Sequence, residues 1–143
     1  MTADPLAASA RPVAFFLCDY ATVENGKVFA SGAFWNRLLV ACFPSVHHVN
    51  VVAVFEVPFT GHDRGYTFVI RFEDADGRPV GPRIDGQMEV GHTSDQRPGD
   101  ESVIPFTARV EGLVLEVAGD YAAVLEVDGE VLARWAFRAV EGV

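Results

Sequence analysis

Gly119-Asp-Tyr121-Ala-Ala-Val-Leu125-Glu-Val-Asp128-Gly129-Glu-Val131-Leu-Ala-Arg-Trp135-Ala-Phe137 reads as one β-hairpin. Tyr121, Ala123 and Leu125 alternate with more polar neighbours, and so do Val131, Ala133, Trp135 and Phe137 after the Asp128-Gly129 break. Both apolar sets occupy odd positions. A two-residue Asp-Gly loop pairs odd residues with even ones and sends the two sets to opposite faces. A three-residue loop, Val127-Asp128-Gly129, pairs Leu125 with Val131 and Tyr121 with Trp135 on a single face, and that register is the expectation here. It also leaves Val124 and Leu132 together on the other face. A hairpin with one apolar face needs a second layer, so the stretch implies a sandwich or barrel.

The rest of the chain agrees with an all-β reading. Its 143 residues fit one domain able to bury about two thirds of its unfolded surface. Half of the residues are hydrophobic, and 11 Phe, 13 Gly and 8 Pro suit short strands joined by tight turns. Twenty acidic residues against 11 basic ones give a net charge of −9, which opposes nucleic acid and anionic membrane surfaces as partners. Residues 1–11 are expected to form a flexible arm and 12–143 a single domain. The apolar run from Val13 to Cys18 is too short for a signal-peptide core, and no run reaches the roughly 18 apolar residues of a spanning helix, so a cytoplasmic protein is expected. Cys18 and Cys42, both in apolar surroundings, are expected to be reduced core residues.

Strands are predicted at Val13–Asp19, at Lys27–Val40 with an interruption at Gly32, and at His47–Val57, where Val49, Val51, Ala53, Phe55 and Val57 repeat with period two. Tyr66, Phe68, Ile70 and Phe72 mark the next one, closed by the turn Asp74-Ala-Asp-Gly77, and Ile84–Val90 and Val103–Val110 follow. Gly112 and Gly119 then frame a turnover before the final hairpin. The expected fold is a Greek-key, immunoglobulin-like sandwich of about seven to eight antiparallel strands. Tyr121, at the start of the penultimate strand, is the candidate for a tyrosine corner, its hydroxyl bonding to backbone around Leu115 to Ala118.

An ordered series of short motifs covers residues 12–139: Phe15-Phe-Leu-Cys-Asp19-Tyr-Ala21, Gly26-Lys-Val-Phe-Ala-Ser-Gly32-Ala-Phe-Trp35, Val57-Pro-Phe59, Asp74-Ala-Asp-Gly77 and Gly119-Asp-Tyr121. Together they resemble a family of small uncharacterised bacterial single-domain proteins. The resemblance implies a β-sandwich and carries no assigned reaction, cofactor or catalytic residue.

No constellation of residues points to catalysis, and no cofactor is expected. His47, His48, His62 with Asp63, and His92 are the residue types for a metal site, but adjacent His47 and His48 on a strand point to opposite faces. Asp74, Asp76 and Asp128 are explained by turn formation, and calcium would require two acidic loops at one end of the sandwich. The third candidate is a surface: Val124 and Leu132, with Val52 and Val54, put apolar side chains on faces where solvent favours polar ones, which marks a possible interface. The expected function is therefore a non-enzymatic binding or assembly module. It would act through protein–protein contacts, with itself or a partner, using sheet surface or the Gly91–Ser102 loop. The alternative is a sandwich that binds a small ligand or metal through His and Asp in its end loops.

Overall fold

The computed structural model describes residues 10–59, 64–91, 95 and 97–142. Among them run nine strands: β1 (Arg11–Glu24), β2 (Lys27–Ala33), β3 (Arg37–Val40), β4 (Ser45–Val57), β5 (Arg64–Asp74), β6 (Ile84–Val90), β7 (Ser102–Leu115), β8 (Gly119–Val127) and β9 (Glu130–Glu141). They form two sheets, ordered β2-β1-β4-β7 and β3-β9-β8-β5-β6. All ladders are antiparallel except β3 with β9. The chain changes sheet after β2, β3, β4, β6 and β7, so β4 lies beside β7 while β5, β8 and β9 are neighbours in the other layer. These are the Greek-key relations of an immunoglobulin-like sandwich.

The extra strand arises from the segment 27–40. Gly32 and Phe34 both adopt positive φ, 64° and 66°, which breaks the extended run and lets the chain leave one sheet and enter the other. Phe34 N–H is still bonded to Leu17 O at 3.4 Å, and Asn36 O accepts from Arg138 N–H at 2.9 Å, so the crossing is held at both ends.

The interior follows the period-two pattern. Val49, Val51, Ala53, Phe55 and Val57 of β4 face Tyr66, Phe68, Ile70 and Phe72 of β5 and Tyr121, Ala123, Leu125 and Phe137 of the terminal hairpin, all buried. Each Val, Leu, Ile and Phe among them contributes about 1.5–3 kcal/mol on leaving water.

The hairpin register corrects the expectation from the sequence. Val127 pairs with Glu130, so the loop is the two-residue Asp128-Gly129 turn, with φ of 50° and 83°. The ladder then slips: Glu126 pairs with Val131, and Leu125 with Ala133. Leu132 is the extra residue of a β-bulge, and the bulge restores the parity that a two-residue turn disturbs. Tyr121 therefore opposes Phe137, Ala123 opposes Trp135 and Val124 opposes Arg134. The turn is also docked. Asp128 N–H donates to Thr67 O at 2.8 Å, and its Oδ1 accepts from Thr67 N–H at 3.0 Å and Thr67 Oγ1 at 3.2 Å.

Two further corrections concern small residues. Gly112, with φ of 75°, lies inside β7, opposite the irregularity between His47 and Val49 of β4, and not in a turn. Cys42 is exposed, whereas Cys18 is buried, and both thiols are free.

A second, smaller core sits on the other face of the β4 sheet: Phe16, Cys18, Ala21 and Val52, with Ala14, Val28, Ala33, Val54 and Trp135 packed against it. In β1 its members switch from even to odd positions between Cys18 and Ala21. Asp19 and Gly32, which face each other there, are missing from an otherwise continuous ladder. Both β1 and β2 approach β7, although β4 stands between β1 and β7 in the sheet order. The outer part of the β1–β2 hairpin therefore bends at Asp19 and Gly32 and coils over the sheet, enclosing Val52. Gly32 is required at the bend, since a Cβ there would stand 2.9 Å from Asp19 Cβ on a backbone of positive φ.

Candidate functional site

Val124 shows how the chain covers its own apolar surface. In the ladder it lies between Arg71 and Arg134. Both guanidinium groups turn toward Glu73: Arg71 Nη1 donates to Oε2 at 2.7 Å, and Arg134 Nη1 stands 2.6 Å from Oε1. Arg71 also reaches Glu126 at 3.7 Å. The charged heads of these two ladder neighbours of Val124 pair there, and Val124 is itself 0% exposed, an arrangement in which long charged side chains shield an apolar one. The hydrogen bond from Arg71, with help from Arg134, holds the Glu73 carboxyl below the usual carboxylate range against the opposing effect of burial.

The four residues expected to form an interface do not form one surface. Val52 and Val54 lie in one sheet, and Val124 and Leu132 in the other. Val52, also 0% exposed, is enclosed by the coiled hairpin, with Val54 at its margin. Leu132, in the bulge, packs partly against the main core. An apolar residue at a nominally outward position signals cover from some source; the sequence could not name the arginines or the hairpin that supply it.

The metal candidates also separate. The β5–β8 ladder runs from Phe68 opposite Val127 to Asp74 opposite Tyr121, which puts the Asp128 turn and the Asp74–Gly77 turn at opposite ends. Asp74 Oδ1 is engaged by the N–H groups of Asp76 and Arg78, each at 2.9 Å. His62, Asp63 and His92 lie outside the described residues, as does part of the Gly91–Ser102 loop. Among the described residues no group of three His, Cys, Asp or Glu side chains could hold a metal ion. His47 is half-buried, its Nε2 2.7 Å from Ser45 Oγ. Burial, and then the charge of exposed His48, push its pKa down. The Ser-x-His spacing at the start of β4 was the available signal for this pair.

A charge cluster that sequence reading missed joins three strands of the first sheet. Arg11, at the start of β1, pairs with Glu56 near the end of β4 and with Glu101 just before β7, the latter at 3.2 Å. The interaction of the two neighbouring carboxyls, with Arg11 beside them, lowers the pKa of Glu56 and raises that of Glu101. At the far end, Tyr121 Oη donates to Val117 O at 2.5 Å, four residues upstream, which is the geometry of a tyrosine corner.

Among the described residues, the exposed large aromatic side chains, Tyr20, Phe29 and Phe34, lie on the β1–β2 hairpin and the segment that follows it. The turn of the hairpin is Asn25-Gly26, flanked by the pair Glu24 and Lys27. The register puts Tyr20, Thr22, Phe29 and Ser31 on one face. That face is uncharged, with Tyr20 56% and Phe29 52% exposed. Phe34, 67% exposed, stacks on Phe16 at a centroid distance of 4.5 Å and meets Trp135 edge-on at 5.9 Å. It holds this position with a left-handed backbone, which is costly for a bulky aromatic residue.

Comparisons with known proteins give a family and little more. No curated protein matches the chain. Among solved structures, a β-glucuronidase from glycoside hydrolase family 2 aligns with 90% of this chain at 11% identity and a TM-score of 0.33. The chain spans about 11% of that enzyme's length. The family model that does match extends over residues 13–140, nearly all of both sheets, and the chain therefore belongs to DUF6941, a family of unknown function.

Proposed function

We propose that the protein is a non-enzymatic binding or assembly module that works through protein–protein contacts. The observation that carries this reading is the uncharged aromatic face of the β1–β2 hairpin, with Tyr20 and Phe29 more than half exposed on a chain of net charge −9. Rigid aromatic and hydroxyl side chains supply contact area at small entropic cost, which suits recognition of another protein surface. A reducing, cytoplasmic setting fits the two free thiols. The interface expected at Val52, Val54, Val124 and Leu132 moves, in this reading, to the outer side of the hairpin that encloses Val52.

Site-specific photo-crosslinking in the native cell tests the proposal. A photoreactive amino acid at Phe29 is expected to give a defined protein adduct, and the same group at Glu130, on the tip of the β8–β9 hairpin, none. Absence of adducts at both positions would count against a module that works through protein contacts.

A further inference from the structure

We infer that β2 pairs edge to edge, in antiparallel fashion, with β2 of a second copy of this chain. The inference rests on the protein-contact reading above and names the surface and its occupant.

Among the described residues the sandwich has four strand edges, and three of them carry devices that discourage pairing. β3 is only four residues long. β6 carries exposed Asp85 and Glu89. β7 contains Pro105 and ends in exposed Arg109, Glu111 and the Gly112 irregularity. Short length, charge, proline and bulges are the usual means by which an edge is blunted. In β2 these devices lie only at its ends, Lys27 at the turn and the positive-φ Gly32 at the bend, and Val28 to Ser31 between them has neither charge nor proline.

The hairpin fixes which backbone groups of β2 are free. Glu24 and Lys27 flank a two-residue turn and exchange hydrogen bonds, and the alternation of an antiparallel ladder then turns Thr22 and Phe29, and Tyr20 and Ser31, inward toward each other. The N–H and C=O groups of Val28 and Ala30 therefore point away from β1. Among the described residues neither has a backbone partner outside the sheet, and Ala30 is exposed.

This edge is complementary to itself. Two antiparallel copies of β2 related by a two-fold axis at Phe29 bring Val28 of each opposite Ala30 of the other, giving four backbone hydrogen bonds. Phe29 then meets Phe29 of the second copy in a non-hydrogen-bonded pair, the closer of the two pair types, where aromatic side chains gain most. Lys27 falls opposite Ser31, so no like charges face each other on the strand. The pairing stops before Gly32, where the positive φ ends the regular strand. The mode is strand addition, here isologous.

Light scattering coupled to size exclusion tests the inference on the full chain. The wild-type mass is expected to rise toward twice the 15.5 kDa of one chain as concentration increases, while amide exchange at Val28 and Ala30 slows. Phe29→Lys places like charges face to face on the axis, and Ala30→Pro deletes a donor that the internal ladder does not use. Both variants are expected to keep the mass of a single chain at every concentration, with unchanged near-UV circular dichroism. A wild type that never exceeds one chain's mass, or variants that associate as the wild type does, would overturn the inference. If the wild type stays single while the photoreactive group at Phe29 still captures a different protein, self-pairing fails and the broader reading survives; if nothing is captured, both fail.

Discussion

Glu73 is a buried carboxylate held between two guanidinium groups, and the sign of its pH dependence follows from that. Its folded pKa lies below the ordinary value of 4.5. Its contribution to stability is therefore complete above that value and is lost as pH falls through the folded pKa. Glu73→Gln is expected to cost about 2 kcal/mol near neutral pH, the scale of hydrogen bonds to charged groups. It should also flatten the loss of stability between about pH 5 and pH 3. Urea denaturation of both proteins across that range checks this, and parallel stability curves would refute it. Tyr121→Phe removes one hydrogen bond to Val117 O and should cost about 1 kcal/mol without changing the fold, measured the same way. These two sites differ in how far the sequence reveals them. Tyr121 stands just after Gly119 at the start of a strand and its partner is four residues away, so local spacing suffices. The Glu73 clamp needs Arg134 from a strand that only the tertiary register brings near.

At the scale of the element, the β8–β9 hairpin shows what periodicity can and cannot resolve. Odd apolar positions on both strands state correctly that Tyr121, Ala123, Leu125, Trp135 and Phe137 belong to the interior. They require one residue more than a two-residue turn supplies, but not where it goes. A three-residue loop and a two-residue turn with a bulge satisfy the same pattern except at Val131, which the bulge sets opposite Glu126 and leaves exposed. The structure places the extra residue at Leu132 because Asp128 and Gly129 both accept positive φ and Asp128 is tied to Thr67 on β5. Asp128→Ala is accordingly expected to destabilise the protein by about 1–2 kcal/mol, from the lost side-chain bonds and the poorer fit of alanine to positive φ. Amide exchange should accelerate at Thr67 and Val127 while the Tyr121 end of the same ladder stays protected; uniform acceleration would show that the turn is not anchored locally. The β1–β2 hairpin was harder to read for a related reason. Its buried face changes parity at Asp19 and Gly32, and a period-two pattern interrupted in both partners at once looks like a weak strand.

Over the whole molecule, net charge decides how association should respond to salt. Two copies of −9 repel, and the β2 edge adds no compensating opposite charge along the paired strand. Pairing there relies on backbone hydrogen bonds and on Phe29, both short-ranged, while the repulsion is long-ranged and screened by ions. Raising ionic strength from about 0.01 M to about 0.1 M shortens the screening length from about 30 Å to about 10 Å. The dimer is therefore expected to tighten with added salt, seen as a shift of the half-association point to lower protein concentration in sedimentation equilibrium. Contacts between an acidic patch and a basic one respond in the opposite sense and weaken with salt. Dissociation on adding salt would assign the self-contact to complementary charges, such as the Arg11, Glu56 and Glu101 cluster, in place of the uncharged β2 edge.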